Sequence, residues 1–306
     1  MGIVKSLVRY CTDADYRFLF NIKRGFYNNM PDEEYLKRRF HAARGYDMDF
    51  DNPQTFSEKL QWLKLHDHNP VYTTLVDKIV VKQYINDAIG ESYLIPTLGI
   101  WNSADDIDFE KLPSQFVLKC THDSHGLVIC KNKSKLDVDA TRAKLRVALK
   151  SSYYLTFREW PYKNVKPRIL AEPYMSNNGD DLVDYKVHCF NGKAKLVLVC
   201  AGRFAATGLT EDFYDCEWNH LNMKRPKVPN TTVQQEKPEQ LDEMIQIAEK
   251  LSRDIPFVRV DFYIIGGNVV FGEMTFFPAS GFTPFVPDEW DKTLGDWLIL
   301  DTKRVE

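Results

Sequence analysis

The sequence predicts an α+β protein in which a helical N-terminal segment precedes antiparallel sheets. Apolar and aromatic residues recur at helical spacing from Asp13 to about His68, and short β-branched runs replace this pattern after Pro96. Two pairs of these runs flank Asn191-Gly192 and Gly266-Gly267, dipeptides that favour tight hairpin turns. The strands on either side of each turn are therefore expected to pair antiparallel.

The composition indicates a globular protein large enough for two lobes. Its 306 residues are 44% hydrophobic and 27% charged, which excludes a disordered or low-complexity chain. A formal charge of −3 gives no net positive field for a nucleic-acid backbone, so no nucleic-acid partner is expected. The six cysteines form no CxxC pair, which disfavours a zinc knuckle. No apolar run approaches the length of a membrane helix and no signal peptide is recognisable, so a cytoplasmic location is expected.

Residues 1–76 carry no strand signal and form the predicted helical segment, which Pro31 and Pro53 interrupt. Basic residues lie among large apolar ones in its first third: Lys5, Arg9, Arg17, Lys23 and Arg24. Two interpretations stay open. The helices either rest on an anionic membrane or a partner, or they pack on the main body of the protein. Membrane contact is thus expected to be peripheral at most, at the inner face of the membrane under the first interpretation.

Short strands follow, in groups separated by helices. The strand-like runs are FVLKC at 116–120, GLVIC at 126–130, RILAEPY from 168, DYKVHCF from 184, KLVLVC from 195, and the pair 257–265 and 268–275. Helical stretches are predicted near 137–153 and 236–253, and the Pro- and Asn-rich stretch 219–240 predicts a surface loop. The absence of a glycine-rich dinucleotide loop disfavours a Rossmann nicotinamide site.

The C-terminal hairpin carries the main candidate for a chemical site. Side chains two apart share a strand face, so Arg259 and Asp261 project together, and Glu273 and Thr275 do the same on the partner strand. Two close carboxylates repel unless a cation lies between them, and Mg²⁺ is typically held by one or two carboxylates plus substrate phosphates. A nearby guanidinium can stabilise transferred phosphoryl charge. The alternative is a set of exposed strand charges.

The pattern RVDFY…GEMTFFPASG resembles the closing signature of the ATP-grasp superfamily. The stretch from FSEKLQWLKLHDHNPVYTTLVDK to the end, about three quarters of the chain, is similar to its teichuronopeptide-biosynthesis (TupA-like) branch. The resemblance implies an ATP-grasp fold, with two α+β lobes whose antiparallel sheets clamp ATP, here preceded by the helical segment. It divides the chain into that segment at 1–76, a lobe with a phosphate-binding flap at 77–174, and a lobe with the metal site at 175–306.

At the C-terminal signature, the resemblance implies that Asp261 and Glu273 bind Mg²⁺ and that Arg259 faces the γ-phosphate. Thr275 stands where many members have Asn and becomes the third expected metal ligand, a shorter one. The PASG turn resembles the turn near the acceptor substrate. Ser280 and Gly281 are therefore expected to donate hydrogen bonds to that substrate.

The remaining motifs imply the ATP contacts. Lys119 ends the run FVLK and is expected to bind phosphate at the mouth of a flap, in which His122, Ser124 and Gly126 are further ATP-binding candidates. Lys78 resembles the first phosphate-contacting lysine of the superfamily. Lys82, one helical turn later, is the open alternative for that role.

In RILAEPYM, Glu172 resembles the hinge acid that accepts from the adenine amino group. Tyr174 and Met175 follow it at the ring, where Pro173 removes one backbone donor. Asp184 resembles the ribose carboxylate, and Lys186 is expected at the phosphates with a catalytic role. Arg203 lies near the aromatic residues of 213–218 and is a weaker candidate for binding substrate.

The resemblance implies an ATP- and Mg²⁺-dependent carboxylate–amine ligase that forms an amide through an acyl phosphate. The family association points to cell-surface polysaccharide biosynthesis, with a uronic acid joined to an amino acid or amino alcohol. The expected partners are a small-molecule or glycan carboxylate and an amine, and the oligomeric state is left open. A sugar kinase with the same ATP site and a non-catalytic ATP-binding accessory protein are the two alternatives.

Overall fold

The computed structural model describes residues 3–123, 126–177, 182–203 and 208–301. The helices are α1 (Ile3–Thr12), α2 (Ala14–Ile22), α3 (Asp32–Arg44), α4 (Phe56–His66), α5 (Val71–Val76), α6 (Val80–Ile89), α7 (Val138–Leu149), α8 (Tyr153–Phe157), α9 (Leu241–Leu251) and α10 (Glu289–Trp297). The strands are β1 (Gly99–Trp101), β2 (Phe116–Cys120), β3 (Leu127–Cys130), β4 (Ile169–Pro173), β5 (Asp184–Phe190), β6 (Lys193–Ala201), β7 (Thr210–Asp215), β8 (Phe257–Ile265) and β9 (Asn268–Thr275). Within the described ranges, no helix is both long and apolar enough to cross a membrane.

The strands form two sheets, and every strand pairing in them is antiparallel. The small sheet has the order β1-β4-β2-β3, and the large sheet has the order β7-β6-β5-β8-β9. Asn191 and Gly192 both have positive φ angles, 49° and 77°, between β5 and β6, and Gly266 and Gly267 have φ angles of 57° and 82° between β8 and β9. Both turns therefore have the backbone that a tight hairpin needs. The predicted α+β fold with antiparallel sheets is confirmed.

Each sheet has its own hydrophobic core. The small sheet packs against α7 around Phe116, Leu118 and Leu145. The larger core joins the large sheet to α9 and to the N-terminal helices, and the Phe56 ring of α4 lies 4.8 Å from that of Phe257 on β8. The predicted helices of the N-terminal segment thus pack on the large sheet, and Val81 of α6 belongs to the same core. The domain boundaries at 76 and 174 stay predictions.

Helix α4 begins with a capping box. The Thr55 side chain accepts from the Glu58 backbone N–H, and the Glu58 carboxylate accepts from the Thr55 N–H. The helix is buried on several sides, and its Ser57 N–H and hydroxyl both donate to Asp291 of α10 at 2.9 Å. The Arg44 guanidinium reaches the same carboxylate at 2.7 Å. These contacts anchor the helical segment to the C-terminal end of the described chain.

Candidate functional site

A cavity of about 340 Å³ is lined by residues from both sheets and from the start of α6. Basic side chains reach it from each side, and acidic side chains alternate with them. The basic residues are Lys78, Lys82, Lys119, Lys186 and Arg203, and the acidic ones are Asp123, Glu172, Asp184, Asp261 and Glu273. Most of the residues singled out by the sequence are thereby brought to one place, although their individual roles stay predictions.

On the small-sheet side of the cavity, the carboxylate of Glu172 binds two lysines. Its buried carboxylate accepts from Lys82 Nζ at 2.6 Å through Oε1 and from Lys119 Nζ at 2.7 Å through Oε2. Lys119 lies diagonally across the β2–β4 pairing from Glu172, which explains this contact. Burial alone would raise the pKa of Glu172, but Lys119 and Lys82 outweigh it, and the pKa lies below its ordinary value. Glu172 therefore stays ionised and holds both lysines at the cavity.

Lys78 and Gly126 also line the cavity, and each forms a hydrogen bond with a backbone atom of another residue. Lys78 Nζ donates to the backbone carbonyl of Asp123 at 2.9 Å and has no carboxylate partner within the described ranges. Gly126 closes the flap by accepting from Cys120 N–H at 2.7 Å, and a Cβ on Gly126 would lie 2.4 Å from Cys120 Sγ. Its place is therefore explained by this close approach of the chain to itself.

Of the other two flap candidates, only His122 is among the described residues, and it does not line the cavity. His122 is buried, and its Nε2 lies 3.2 Å from the carbonyl oxygen of Ala148 in α7. Because that contact fixes the ring against the small core, His122 is not among the cavity-lining residues. Ser124 lies outside the described residues.

On the large-sheet side, Asp261 is the charged centre. The Arg259 guanidinium donates two hydrogen bonds to its carboxylate, from Nε to Oδ1 at 2.6 Å and from Nη2 to Oδ2 at 2.7 Å. Lys186 is the direct cross-strand partner of Asp261, and its ammonium also donates to Oδ2. Burial alone would raise the pKa of Asp261, but Arg259 and Lys186 hold that pKa below its usual range.

The other two residues of the predicted metal site are also adjacent. Glu273 is the cross-strand partner of Asp261, and Thr275 is the partner of Arg259. Arg259 Nη2 donates to Thr275 Oγ1 at 3.1 Å and lies 3.8 Å from Glu273 Oε1. The Glu273 side chain is 45% exposed, whereas that of Asp261 is 2% exposed. Glu273 is thus the accessible acid of the pair.

These side chains fit a polyphosphate with a divalent cation. The three cations on the small-sheet side and Lys186 on the large-sheet side line the cavity and would together offset phosphate charge. Arg259 is not among the lining residues but adds its charge next to them through its contact with Asp261. Within the described ranges no group of three or more His, Cys, Asp or Glu side chains could hold a metal. Two carboxylates completed by phosphate oxygens is, however, the usual arrangement for Mg²⁺. Asp261 and Glu273 are the residues that would hold it.

The hinge and ribose candidates lie at the cavity as well. Tyr174 and Met175 line it directly after β4, and Lys131 Nζ lies 5.3 Å from the centre of the Tyr174 ring. Asp184 accepts from Arg203 Nη2 at 3.2 Å, and its other oxygen lies 3.4 Å from Lys186 Nζ. Arg203 therefore lies beside Asp184, the residue expected to contact the ribose.

Ser280 and Gly281 are placed away from the cavity. Both are buried against α4, where Lys64 Nζ donates to the Ser280 carbonyl at 2.8 Å and to its hydroxyl at 2.9 Å. A Cβ on Gly281 would lie 2.4 Å from Gln61 Nε2. The expected contact of this turn with an acceptor is not visible, because α4 covers it.

The sequence reasoning missed part of this arrangement. Lys82 is the alternative to Lys78 in the sequence, yet both line the cavity, Lys78 from the turn before α6 and Lys82 from the helix itself. The sequence does not single out Lys64 and Glu159, two buried titratable residues, and burial raises the pKa of Glu159 to about 7. The short separation of Lys78 and Lys82 in the chain is a signal for the first pair, whereas no local pattern signals the second.

The structural comparisons return ligases that share little sequence with this chain. D-alanine–D-alanine ligase from Bacillus anthracis complexed with ATP is 14% identical, with 66% of this chain and 55% of that chain covered and a TM-score of 0.38. D-alanyl-alanine synthetase A from Vibrio cholerae is 13% identical, with 81% and 64% covered and a TM-score of 0.42. ATP-grasp ligase PsnB, complexed with a variant precursor, Mg and ADP, is 13% identical, with 97% and 75% covered and a TM-score of 0.43. The chain thus spans little more than half of the Bacillus anthracis ligase.

No curated protein matches the sequence. The family described as TupA-like ATP-grasp does match, over residues 58–299. That match includes both sheets and the whole cavity lining. This chain therefore belongs to the TupA-like ATP-grasp family.

Proposed function

We propose that the protein is an ATP- and Mg²⁺-dependent ligase that joins a carboxylate to an amine. The observation that carries the proposal is the cavity, where lysines from β2, from α6 and from the turn before α6 meet Lys186 and Asp261 of the large sheet beside the accessible carboxylate of Glu273. Arg259 does not line the cavity but binds Asp261 directly. Such a concentration of fixed cations suits a nucleotide triphosphate. Family membership points to the same class of substrate.

The proposed reaction has two steps. A carboxylate oxygen of the first substrate attacks the γ-phosphorus of ATP, the bond to the β–γ bridging oxygen breaks, and ADP leaves. The amine of the second substrate then attacks the acyl carbon, the carbon–oxygen bond to phosphate breaks, and inorganic phosphate leaves as the nitrogen loses a proton. No covalent bond to the protein forms at either step, so positioning and charge neutralisation are the work of the side chains.

Particular residues would divide that work. Lys78 and Lys119 would hold phosphate oxygens on the small-sheet side, and Lys186 and Arg259 would face the transferred phosphoryl group. Mg²⁺, when bound by Asp261 and Glu273, would supply further neutralisation of nucleotide charge. Glu172 would keep Lys82 and Lys119 in place until a nucleotide arrives.

The substrate class is the finer part of the proposal. We place the carboxylate on a uronic acid of a cell-surface polysaccharide precursor and the amine on an amino acid or amino alcohol, in keeping with the TupA-like branch. The reaction would take place in the cytoplasm.

Isotope transfer tests the reaction. The protein is incubated with Mg²⁺, ATP, an amine panel and candidate uronic acids that carry oxygen-18 in the carboxylate. We expect one labelled oxygen to appear in inorganic phosphate together with an amide product. A stable phosphorylated sugar with unlabelled phosphate would instead identify a kinase, and tight ATP binding without ADP formation across the panel would identify an accessory protein.

Nucleotide binding is tested separately by calorimetry with Mg²⁺ and a non-hydrolysable ATP analogue. Lys119→Met should weaken binding at least about tenfold, which corresponds to about 1.4 kcal/mol. Lys111→Met is the matched control, because the Lys111 side chain is 84% exposed and pairs with Asp108, and neither residue lines the cavity. Equal affinities of the two variants would contradict the proposed site.

A further inference from the structure

Helix α1 packs on α2 through one side and presents apolar side chains on another. Ser6 Oγ lies 2.8 Å from the Tyr16 hydroxyl, and the Tyr10 hydroxyl donates to Asn21 Oδ1 at 3.2 Å. The side chains of residues 6 and 10 therefore face α2, since positions four apart lie on one side of a helix. Leu7 and Val8 belong to another side, and they are 64% and 56% exposed.

A second exposed apolar site lies just after α2. Phe26 is 69% exposed, and the Phe20 ring, 37% exposed, packs under the Arg24 guanidinium at 3.8 Å. Four exposed large apolar side chains thus lie within residues 7–26. We call Lys5, Leu7, Val8, Lys23, Arg24 and Phe26 the N-terminal surface.

The charge of this region is positive although the whole chain is acidic. Residues 3–26 contain five Lys and Arg against two Asp, whereas the chain has 40 Lys and Arg against 43 Asp and Glu. Both acids are neutralised, Asp13 by Arg9 at 3.1 Å and Asp15 by Arg38 of α3 at 2.5 Å. Lys5, Lys23 and Arg24 make no ion pair with any residue that the structure describes, which leaves their charges available.

We propose that the N-terminal surface docks on the headgroups of an anionic lipid bilayer. It combines exposed apolar side chains with cations that have no carboxylate partner among the described residues, which suits a deformable, negatively charged interface. Helix α1 has ten residues and is about 15 Å long, so it would lie in the interfacial plane. The inference does not depend on the ligase chemistry, because none of these residues lines the cavity.

Vesicle sedimentation of the full chain tests this inference. We expect binding to vesicles that contain about one third phosphatidylglycerol, little binding to pure phosphatidylcholine vesicles, and weaker binding as salt rises. Lack of binding to the anionic vesicles at low salt, or equal binding to both kinds, would overturn the proposal. Nucleotide affinity is measured on the same samples, so that failure of the ligase proposal is registered independently.

Two variants localise the contact. Leu7→Glu combined with Val8→Glu should lower vesicle affinity at least about tenfold, because it places two negative charges on the interfacial side. Val147→Glu is the matched control, since Val147 is 73% exposed on α7, outside the N-terminal surface, and it should change affinity less than about twofold. Circular dichroism verifies that both variants fold.

The contribution of charge and the rival occupant are tested in the same series. Lys23→Gln with Arg24→Gln should remove much of the salt dependence and keep the apolar contribution. Light scattering of the wild-type protein measures self-association. A dimer that dissociates in the Leu7→Glu, Val8→Glu variant, with no vesicle binding by either protein, would assign the surface to a second copy of the chain and overturn the lipid assignment.

Discussion

Two buried carboxylates at the cavity, Glu172 and Asp261, each bind two cations, but they bind them differently. The partners of Glu172 come from separate elements, α6 and β2, and their side chains are 18% and 29% exposed. The partners of Asp261 lie in the same sheet, and their side chains are 12% and 9% exposed. Water can therefore reach the first pair of lysines, whereas the second cluster is part of the large sheet itself.

Because of this difference, the cations around Glu172 and those around Asp261 are expected to respond differently to a bound nucleotide. Lys82 and Lys119 can leave Glu172 for a ligand at modest cost, because partial hydration already lowers the strength of each ion pair. Arg259 and Lys186 cannot move far, since the β5–β8 pairing fixes both beside Asp261. We therefore expect the small-sheet side to adapt to a nucleotide and the large-sheet side to be arranged in advance.

The largest predicted effect is at Asp261. Asp261→Ala would leave Arg259 and Lys186 buried without their counter-charge, and the free energy of unfolding should fall by about 3–5 kcal/mol. Urea denaturation followed by circular dichroism measures this loss. Asp261→Asn keeps the volume and one acceptor, so it should lose less. A loss below about 1 kcal/mol in Asp261→Ala would mean that water reaches the Asp261 cluster, and the proposed difference from the Glu172 cluster would be wrong.

A third buried acid, Glu159, shows how burial changes the pKa of a carboxyl group that has no direct ion pair with the described residues. It is 2% exposed and forms no ion pair with the described residues, although Lys64 of α4 and Arg39 of α3 act on it from a distance and Ser280 and Tyr153 hydrogen-bond to it. Burial is the largest influence and raises its pKa to about 7 from 4.5. Its pKa thus moves in the direction opposite to those of Glu172 and Asp261.

This raised pKa predicts a pH dependence of stability. Between pH 4.5 and 7 the folded protein keeps the Glu159 proton that the unfolded chain loses, so stability falls as pH rises through that window. The full contribution is about 3 kcal/mol. Glu159→Gln should remove it, so that the variant gains about that much relative to wild type between pH 4.5 and pH 8. Parallel pH profiles of urea stability for the two proteins would refute the assignment.

A smaller effect is predicted at Glu172. Glu172→Gln removes the charge but keeps a side-chain carbonyl for one lysine, and both lysines can turn to water, so we expect a loss of about 1–3 kcal/mol in unfolding free energy. Urea denaturation beside Asp261→Ala supplies the comparison. A loss as large as that of Asp261→Ala would show that the two centres are equally rigid.

Much of this arrangement follows from local sequence. The turn dipeptides and alternating strands predicted the hairpins, and the period of two placed Asp261 and Arg259 on one face. The pairing of Asp261 with Glu273 also requires the β-bulge between Asp261 and Phe262, because the register that the turn at 266–267 sets would otherwise pair Asp261 with Gly272. Short-range rules thus predicted the hairpin and the shared face of Arg259 and Asp261, but not the bulge that brings Glu273 opposite Asp261.

The contacts between distant segments could not be predicted in this way. Lys82 meets Glu172 across 90 positions of the chain, and Lys64 meets Ser280 across 216. No periodicity encodes such distances, since they depend on how α4 and α6 pack on the sheets. The expectation for Ser280 illustrates the result, because the turn was predicted to face a substrate whereas the structure places it under α4. Strands β1 and β7, with three and six residues, are likewise absent from the strands predicted from the sequence.

The smallest predicted effect on stability, at Glu273, separates folding from function. The Glu273 side chain is 45% exposed, and the one ion pair it makes with a described residue is the 3.8 Å contact with Arg259, so Glu273→Gln should change unfolding free energy by no more than about 0.5 kcal/mol. The same change should abolish most of the gain in nucleotide affinity that Mg²⁺ provides, at least about tenfold. Calorimetry with and without Mg²⁺ measures that gain, and Glu289→Gln, at an exposed position in the first turn of α10, serves as the control. An undiminished Mg²⁺ effect in Glu273→Gln would show that Glu273 does not hold the cation. Asp261 would then have to bind Mg²⁺ without Glu273, and because Arg259 and Lys186 already bind its carboxylate, one of them would first have to leave.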